Sequence, residues 1–199
     1  PYVYMADTVD ERLRARGCRM IKAAIYNRAA FLFVSGRASV RFFKERYGVP
    51  ESRMLVGYYS FDYARVREWV CEGRRQRSAV RRQLGVAEGE PLSIMAANFL
   101  PFRDHLGLIR RFERQAEGHL LLVGEGACLA RCKAYVNTQG LANRVHFMSG
   151  QTFDALVRLL PAGDVYVHSG REPYSTLPLL ARLAGLRLGD HGDIPAFED

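Results

Sequence analysis

The segment HLLLVGEGACL (residues 119–129) decides the fold class, because an apolar run leads directly into two glycines and a helical pattern. A strand is predicted over residues 119–123, and since 120–123 are all apolar we expect it to be buried on both faces rather than exposed to water on alternate residues. Glycines after such a strand allow a tight turn into the next helix. The segment therefore predicts one strand–turn–helix unit of a parallel sheet.

The same alternation extends in both directions from this segment. Toward the C-terminus and back to Pro91, strands are predicted over residues 92–97, 145–148, 164–168 and 186–188, and helices over 104–115, 127–138, 153–160 (capped by Thr152) and 175–184. Before the polar break at residues 87–91, strands at 31–34 and 54–56 flank a helix over 35–47, and 63–84 is mostly helical. We predict an α/β protein with a Rossmann-like parallel sheet flanked by helices and a partial second α/β unit at the N-terminus.

Composition places the chain among ordinary globular proteins, with 48% hydrophobic and 25% charged residues. No run of eighteen apolar residues is present, and the first twelve residues lack the pattern of a secretory signal. Four scattered cysteines are too few for a disulfide framework, so we expect reduced thiols and a cytoplasmic protein. Cys128 and Cys132 lie one helical turn apart but have no second pair, which favours structural thiols over a metal site.

The positive charge is concentrated in the first half of the chain. Residues 1–90 contain 18 basic and 10 acidic side chains, whereas the rest contains 11 of each. The densest basic run comprises Arg74, Arg75, Arg77, Arg81 and Arg82. It is either the exposed face of a helix or a surface attracted to anionic lipid. No nucleic-acid recognition motif accompanies it, which argues against a nucleic-acid partner.

Ligands of open parallel sheets bind beyond the carboxyl ends of the strands, so the chemistry is expected in loops 98–105, 124–126, 149–151 and 169–175. Arg103 would present a fixed positive charge to phosphate oxygens. Gly124 and Gly126 would let backbone approach a ligand closely. Alternatively, Arg103 is a solvated loop arginine, and the two glycines form an ordinary tight turn.

The last of these loops carries the most specific pattern, HSGREPYST (residues 168–176). The Glu172 carboxylate can accept hydrogen bonds from sugar hydroxyls. The amides of Ser175, Thr176 and Leu177, at the start of a helix, can hold a diphosphate. Alternatively, Glu172 binds no ligand and only stabilises the N-terminus of the following helix through its negative charge.

Six segments, taken in order, resemble the nucleotide-sugar-binding half of the retaining GT-B glycosyltransferases of family four, the group 1 glycosyl transferases. They are LLLVGEG (120–126), NRVHFMSG (143–150), AGDVYVHS (162–169), EPYS (172–175), AGL (184–186) and GDIP (192–195). Residues 26–62 are similar to the end of that family's N-terminal domain. The resemblance implies an incomplete acceptor-side domain over 1–62, a helical crossover over 63–90 and a truncated donor-binding domain over 91–199. Complete members have two Rossmann-like domains, so we expect a fragment or a natural truncation that is inactive alone.

The resemblance implies transfer of a hexosyl-type sugar from a nucleotide-diphosphate sugar to an acceptor hydroxyl, with retention and without a metal or other cofactor. It makes Glu172 the catalytic residue. The donor-binding set it implies is Asn98, Arg103, Gly124, Gly126, Met148, Tyr174, Ser175, Thr176, Leu177 and Leu180. The acceptor would be a sugar, a lipid-linked glycan or a protein, and the reaction would belong to polysaccharide or glycolipid synthesis. The enzyme would be a peripheral protein at the inner face of an anionic membrane.

Two positions depart from the family pattern. The family has two basic residues where this chain has Asn98 and Arg103, so Asn98 removes one charge, and Leu180 stands where the family's second glutamate binds the ribose. An apolar side chain cannot accept hydrogen bonds from ribose hydroxyls. A catalytically impaired GT-B-like scaffold or nucleotide-sugar-binding protein is therefore the alternative function.

Overall fold

A computed structural model describes residues 3–6, 16–34, 36–57, 61–115, 117–167 and 176–189, with the side chains of 3–6, 16–18 and 38 left undescribed. It separates into two compact units, Pro1–Ser60 and Phe61–Asp199. The three-part division at residues 62 and 90 stays a prediction. The predicted crossover helix packs within the second unit, as its contacts below show.

The first unit contains a three-stranded parallel sheet in the order β1-β2-β3. Its elements are β1 (Val3–Ala6), α1 (Arg16–Arg28), β2 (Phe31–Val34), α2 (Arg37–Tyr47), a 3-10 turn (Glu51–Arg53) and β3 (Met54–Val56). The sequence patterns did not predict β1 and α1. Met20, Ile21 and Ile25 of α1 are exposed, so its apolar residues do not mark one buried stripe. The interior of the unit forms between β2, β3 and α2, around Leu32, Phe43 and Met54.

The second unit confirms the predicted parallel sheet flanked by helices. Its strands are β4 (Leu92–Ala96), β5 (His119–Val123), β6 (Val145–Met148), β7 (Val165–Tyr166) and β8 (Arg187–Leu188), all parallel, in the order β6-β5-β4-β7-β8. Its helices are α3 (Tyr63–Gln83), α4 (His105–Glu113), α5 (Leu129–Thr138), α6 (Phe153–Leu159) and α7 (Thr176–Ala184), with 3-10 turns at Pro101–Arg103 and Leu160–Ala162. Within the described ranges, no helix combines the length and apolarity needed to cross a bilayer.

Alternate residues of the central strands bury opposite faces of the sheet, as strand geometry requires. Met95, Leu120 and Leu122 pack into a cluster with residues of α4 and α5. Ile94 and Leu121 face the other way, into a cluster that includes side chains of α6 and α7. Burial on both faces explains why the predicted strands are continuously apolar.

Helix α3 is pinned to the amino edge of the sheet by two arginines. Arg77 donates to the Asp164 carboxylate at 2.6 Å, and Arg81 at 3.3 Å. Arg81 is 1% exposed and also donates to the carbonyls of Ala162 and Ala87. The interpretation of the whole arginine run as one exposed helix face is therefore wrong for these two residues, which are structural.

The ion pair changes the titration of Asp164. Partial burial alone would raise the pKa of its carboxyl. A hydrogen bond from the Leu92 amide at 2.8 Å and the charges of Arg77 and Arg81 outweigh burial and lower that pKa. The ionised carboxylate therefore ties together β4, the segment before β7 and α3.

The predicted cap of α6 is in place but acts differently. Thr152 occupies the N-cap position, and its hydroxyl donates to Asp154 Oδ1 at 2.6 Å instead of accepting from a helix amide. Asp154 in turn accepts from Arg158 one turn later. The three side chains thus form a connected set of hydrogen bonds along α6.

Candidate functional site

A cavity of about 260 Å³ lies at the carboxyl edge of the second sheet. It is lined after β4 by Asn98 and Arg103, after β5 by Gly124, after β6 by Gly150 and Gln151, in α6 by Leu156 and in α7 by Leu177. Strand β4 lies between β5 and β7, so the chain order reverses beside this cavity. Open α/β sheets bind their ligands at such a switch point.

The loop after β4 is held in place by His105. This side chain is 2% exposed, its Nε2 lies 3.2 Å from the Ala97 carbonyl oxygen, and its ring stacks on Phe99 at 4.0 Å. These contacts tie the start of α4 back to the end of β4. His105 therefore shapes the loop rather than facing a ligand.

Arg103 projects from the 3-10 turn within that loop. The next residue, Asp104, has a left-handed backbone (φ +48°), and its carboxylate accepts from the Gly107 amide at 3.1 Å, which caps α4. The half-buried Arg103 lies with its guanidinium carbon 5.2 Å from the centre of the Phe102 ring. Among the described residues that line the cavity, Arg103 carries the charge, so the cavity suits an anion.

The glycines after β5 are required by the neighbouring loop. A Cβ on Gly124 would lie 2.2 Å from the Ala97 carbonyl oxygen, and one on Gly126 would lie 2.6 Å from that of Phe99. Both have positive φ (+149° and +143°), and the Phe99 amide donates to the Glu125 carbonyl at 2.7 Å between them. The two glycines let two loops meet, and of the two Gly124 also lines the cavity; that they let a ligand approach closely stays a prediction.

The start of α7 forms the far wall of the cavity. Thr176 is its first residue and Leu177 lines the cavity, so the helix begins at the site. The first-turn amides of a helix have no partner within the helix and carry its positive dipole end. Glu172, Tyr174 and Ser175 lie outside the described residues.

Two residues of the donor-binding set lie away from the cavity wall. Leu180 is fully buried in a cluster with Val66, Val157 and Tyr166. Met148 is half-buried against the interior, and its carbonyl accepts from the Gly124 amide at 3.0 Å. Donor contacts for these two side chains therefore rest on the resemblance alone.

The cavity also contains a residue that sequence reasoning missed. Gly150 and Gln151 fall in a loop expected to face a ligand, but Leu156 was not expected there. An apolar residue at helical spacing indicates core packing, and Leu156 does pack beside an interior cluster. Sequence pattern alone carries no signal that part of this side chain faces a cavity.

Cys128 lies at the N-cap of α5 and Cys132 in its first turn, and that both thiols are structural stays a prediction. Cys132 is buried, and burial together with the nearby Cys128 raises its pKa to about 11. A thiol that stays protonated is a poor metal ligand. No cluster of three metal-ligating side chains occurs in the part of the chain that the structure describes.

The architecture matches solved structures closely over nearly the whole chain. Anabaena HepE in complex with UDP superimposes with a TM-score of 0.78 at 22% identity, covering 94% of this chain and 52% of that one. Sucrose-phosphate synthase from Thermosynechococcus elongatus gives 0.71 at 18% identity, covering 91% and 45%.

WaaG, a glycosyltransferase involved in lipopolysaccharide biosynthesis, gives a TM-score of 0.67 at 18% identity, covering 94% and 55%. The chain has the GT-B glycosyltransferase fold. It spans about half the length of these structures. No protein-family model matches the sequence, and no curated protein does either.

Proposed function

We propose that this chain is the donor-binding part of a retaining GT-B glycosyltransferase of family four. The complete enzyme would move a hexosyl-type sugar from a nucleotide-diphosphate sugar to an acceptor hydroxyl, in the synthesis of a cell-surface polysaccharide or glycolipid. The observation that carries the proposal is the switch-point cavity shared by Asn98, Arg103, Gly124 and Leu177. HepE, which has the same fold, has been crystallised with UDP-glucose, and this supports a nucleotide sugar as donor.

The charge of the leaving group decides what the site must do. The bond between the anomeric carbon and the diphosphate oxygen breaks, and negative charge grows on the diphosphate. The acceptor oxygen would form the new bond to that carbon and pass its proton to the oxygen of the departing diphosphate. Arg103 offers a planar pair of N–H donors to phosphate oxygens, and the amides of Thr176 and Leu177 offer the positive end of α7. In this proposal they take the role that a metal has in other transferases.

The sugar would be held by the segment before α7. Glu172 precedes the first residue of α7 by four positions, with Tyr174 and Ser175 between them. A carboxylate there would accept hydrogen bonds from the hydroxyls of the donor sugar and fix its anomeric carbon beside the diphosphate. The nucleobase of the donor would lie near the loop that follows Met148.

The acceptor would be a sugar, a lipid-linked glycan or a protein. The excess of basic residues within residues 1–90 supports transient contact with an anionic membrane surface, at its cytoplasmic face. That location would suit an enzyme that extends a lipid-linked glycan.

Transfer assays on the full-length protein test the proposal. UDP- and GDP-sugars are supplied with candidate acceptors, and Glu172→Ala is expected to reduce transfer about 100-fold or more, the scale for loss of a transition-state contact. Glu117→Ala, at an exposed acid remote from the cavity, is the matched control and is expected to leave transfer unchanged. Equal transfer by wild type and Glu172→Ala would remove Glu172 from the mechanism.

A second candidate function is favoured by Leu180. Its apolar, fully buried side chain cannot replace the ribose-binding glutamate of the family. A scaffold that binds a nucleotide sugar without transferring it would tolerate that loss. Calorimetric binding without transfer to any acceptor would support this candidate over the enzyme.

A further inference from the structure

A second cavity lies on the opposite edge of the same sheet. It has a volume of about 590 Å³ and opens at the amino ends of β4, β7 and β8, where Pro91, Asp164 and Arg187 contribute to its wall. Helix α3 supplies a further wall through Arg74, Arg77 and Arg81. Its volume lies within the range of small-molecule sites.

The wall of this cavity has an excess of positive charge. Four arginines line it, against the carboxylates of Asp164 and Glu90. Asp164 is engaged by Arg77 and Arg81. The Glu90 carboxylate accepts from the Ala87 amide at 2.7 Å and lies 3.3 Å from Nε2 of His119, so it is directed into its own loop.

Several of the arginine N–H groups remain uncommitted. Arg74 and Arg187 are exposed, and their side chains form no hydrogen bond or ion pair with any residue that the structure describes. Arg81 is 1% exposed, yet its Nε has no hydrogen-bond partner. The nearest acid is Glu88, which lies 3.8 Å from that Nε and 4.0 Å from Nε of Arg77 while its side chain is 69% exposed. A buried N–H donor without an acceptor is rare and costs stability, and a bound anion would remove that cost.

We propose that this cavity is a binding site for a phosphate-bearing anion. Arg74 and Arg187 would hold the phosphate oxygens from the cavity wall, and Nε of Arg81 would donate to them as well. Glu88 approaches the same donors loosely and would be displaced. Guanidinium groups pair well with phosphate, because their N–H donors match its geometry. The site does not depend on the proposed transferase activity, because none of its lining residues lines the donor cavity.

The test is calorimetric titration of inorganic diphosphate at about 50 mM salt, where phosphate attraction is strong. All titrations use the full-length protein in an Arg103→Ala background, so that the donor cavity does not contribute. Arg74→Ala with Arg187→Ala is expected to weaken binding about tenfold or more, since each lost charge-assisted hydrogen bond is worth that much. Glu88→Gln is expected to tighten binding several-fold because it removes the competing carboxylate.

The matched control is Arg75→Ala with Arg82→Ala. Both arginines are exposed on α3, outside the cavity, so this pair removes the same charge without touching the site. Its binding is expected to equal that of the background protein. Melting temperatures of all variants establish that the unit stays folded, and Arg77 and Arg81 are left unchanged for that reason.

A second arm identifies the source of the phosphate group. Vesicles of phosphatidylglycerol, compared with phosphatidylcholine, present the same group as a lipid headgroup. A loss of binding that is confined to the Arg74/Arg187 variant supports the site. The source is free phosphate if this loss is seen with diphosphate, and a lipid headgroup if it is seen only with vesicles. Equal losses in that variant and in the Arg75/Arg82 control overturn the proposal, because they indicate general charge attraction. If neither diphosphate nor the vesicles bind, the proposal is also overturned.

Discussion

Replacing Asp164 by asparagine should destabilise the second unit strongly. The carboxylate accepts hydrogen bonds from Arg77 at 2.6 Å, from Arg81 at 3.3 Å and from the Leu92 amide at 2.8 Å. Asparagine keeps the shape but loses the charge, and its NH₂ group would face donors. Arg81, 1% exposed, would then be a buried cation held by carbonyls, with the exposed Glu88 carboxylate 3.8 Å from its Nε.

The expected magnitude follows from the burial of the pair. Removing one partner of a buried ion pair costs about 3–5 kcal/mol. The Asp164 side chain is 31% exposed, so we expect the lower end of that range, about 3 kcal/mol. For a unit of this size the melting temperature would fall by about 6–12 °C.

Chemical denaturation followed by circular dichroism measures the effect, and its pH dependence gives an independent check. The pKa of Asp164 is lowered on folding, so its stabilisation is fully present above the usual carboxyl pKa of 3.8 and is lost as the pH falls through the folded value. The difference between wild type and variant should therefore shrink in acid. Glu68→Gln, which breaks the exposed Arg65–Glu68 pair, is the control and should cost under about 1 kcal/mol. An Asp164→Asn loss as small as the control's would refute this account of how α3 is held.

Three further changes test other parts of the structure. A Cβ on Gly73 would lie 2.1 Å from a backbone oxygen of α6, so Gly73→Ala should cost about 3 kcal/mol in urea denaturation. Gly140→Ala, with open space but a φ of +67°, should cost only about 1–2 kcal/mol, and equal losses would contradict the packing argument. His146 Nε2 lies 3.1 Å from Nδ1 of His119, and burial, followed by the charge of His119, lowers the pKa of His146. The unfolded chain then binds more protons just below the usual histidine pKa of 6.5, so the free energy of unfolding should fall from pH 7 to pH 5. His146→Phe should make the free energy of unfolding less dependent on pH in this range. An unchanged pH dependence would exclude His146 as its cause. Leu180→Glu should lower the melting temperature and leave UDP binding no tighter, because a carboxylate would be buried in the core; tighter binding with unchanged melting would show that Leu180 faces the donor.

Strand prediction succeeded where residues are buried on both faces. Residues 119–123 form a strand with the predicted bounds, because apolar side chains are needed on each face of a covered sheet. Residues 145–148 also form the predicted strand, at the edge of the sheet and half-buried after Val145. Strand β7 is only two residues long, although its apolar run is longer. Helix α1 was missed because its apolar residues do not form one buried stripe.

The donor cavity was predictable in position but not in detail. Arg103, Gly124 and Leu177 meet because the carboxyl ends of parallel strands share one edge, which the order of elements already implies. The role of Arg77 and Arg81 was not predictable. Their partner Asp164 lies more than 80 residues away in the chain, and a local pattern cannot report such a contact.

Hydrogen–deuterium exchange of the full-length protein with and without UDP tests the central claim, that the carboxyl-edge cavity binds a nucleoside diphosphate. Peptides that contain Arg103, Gly124 and Leu177 should become protected, and Arg103→Ala should abolish that protection at the same UDP concentration. Arg114→Ala, at an exposed arginine at the end of α4, should leave it intact. Protection that is absent from these peptides, or that survives in Arg103→Ala, would contradict the account.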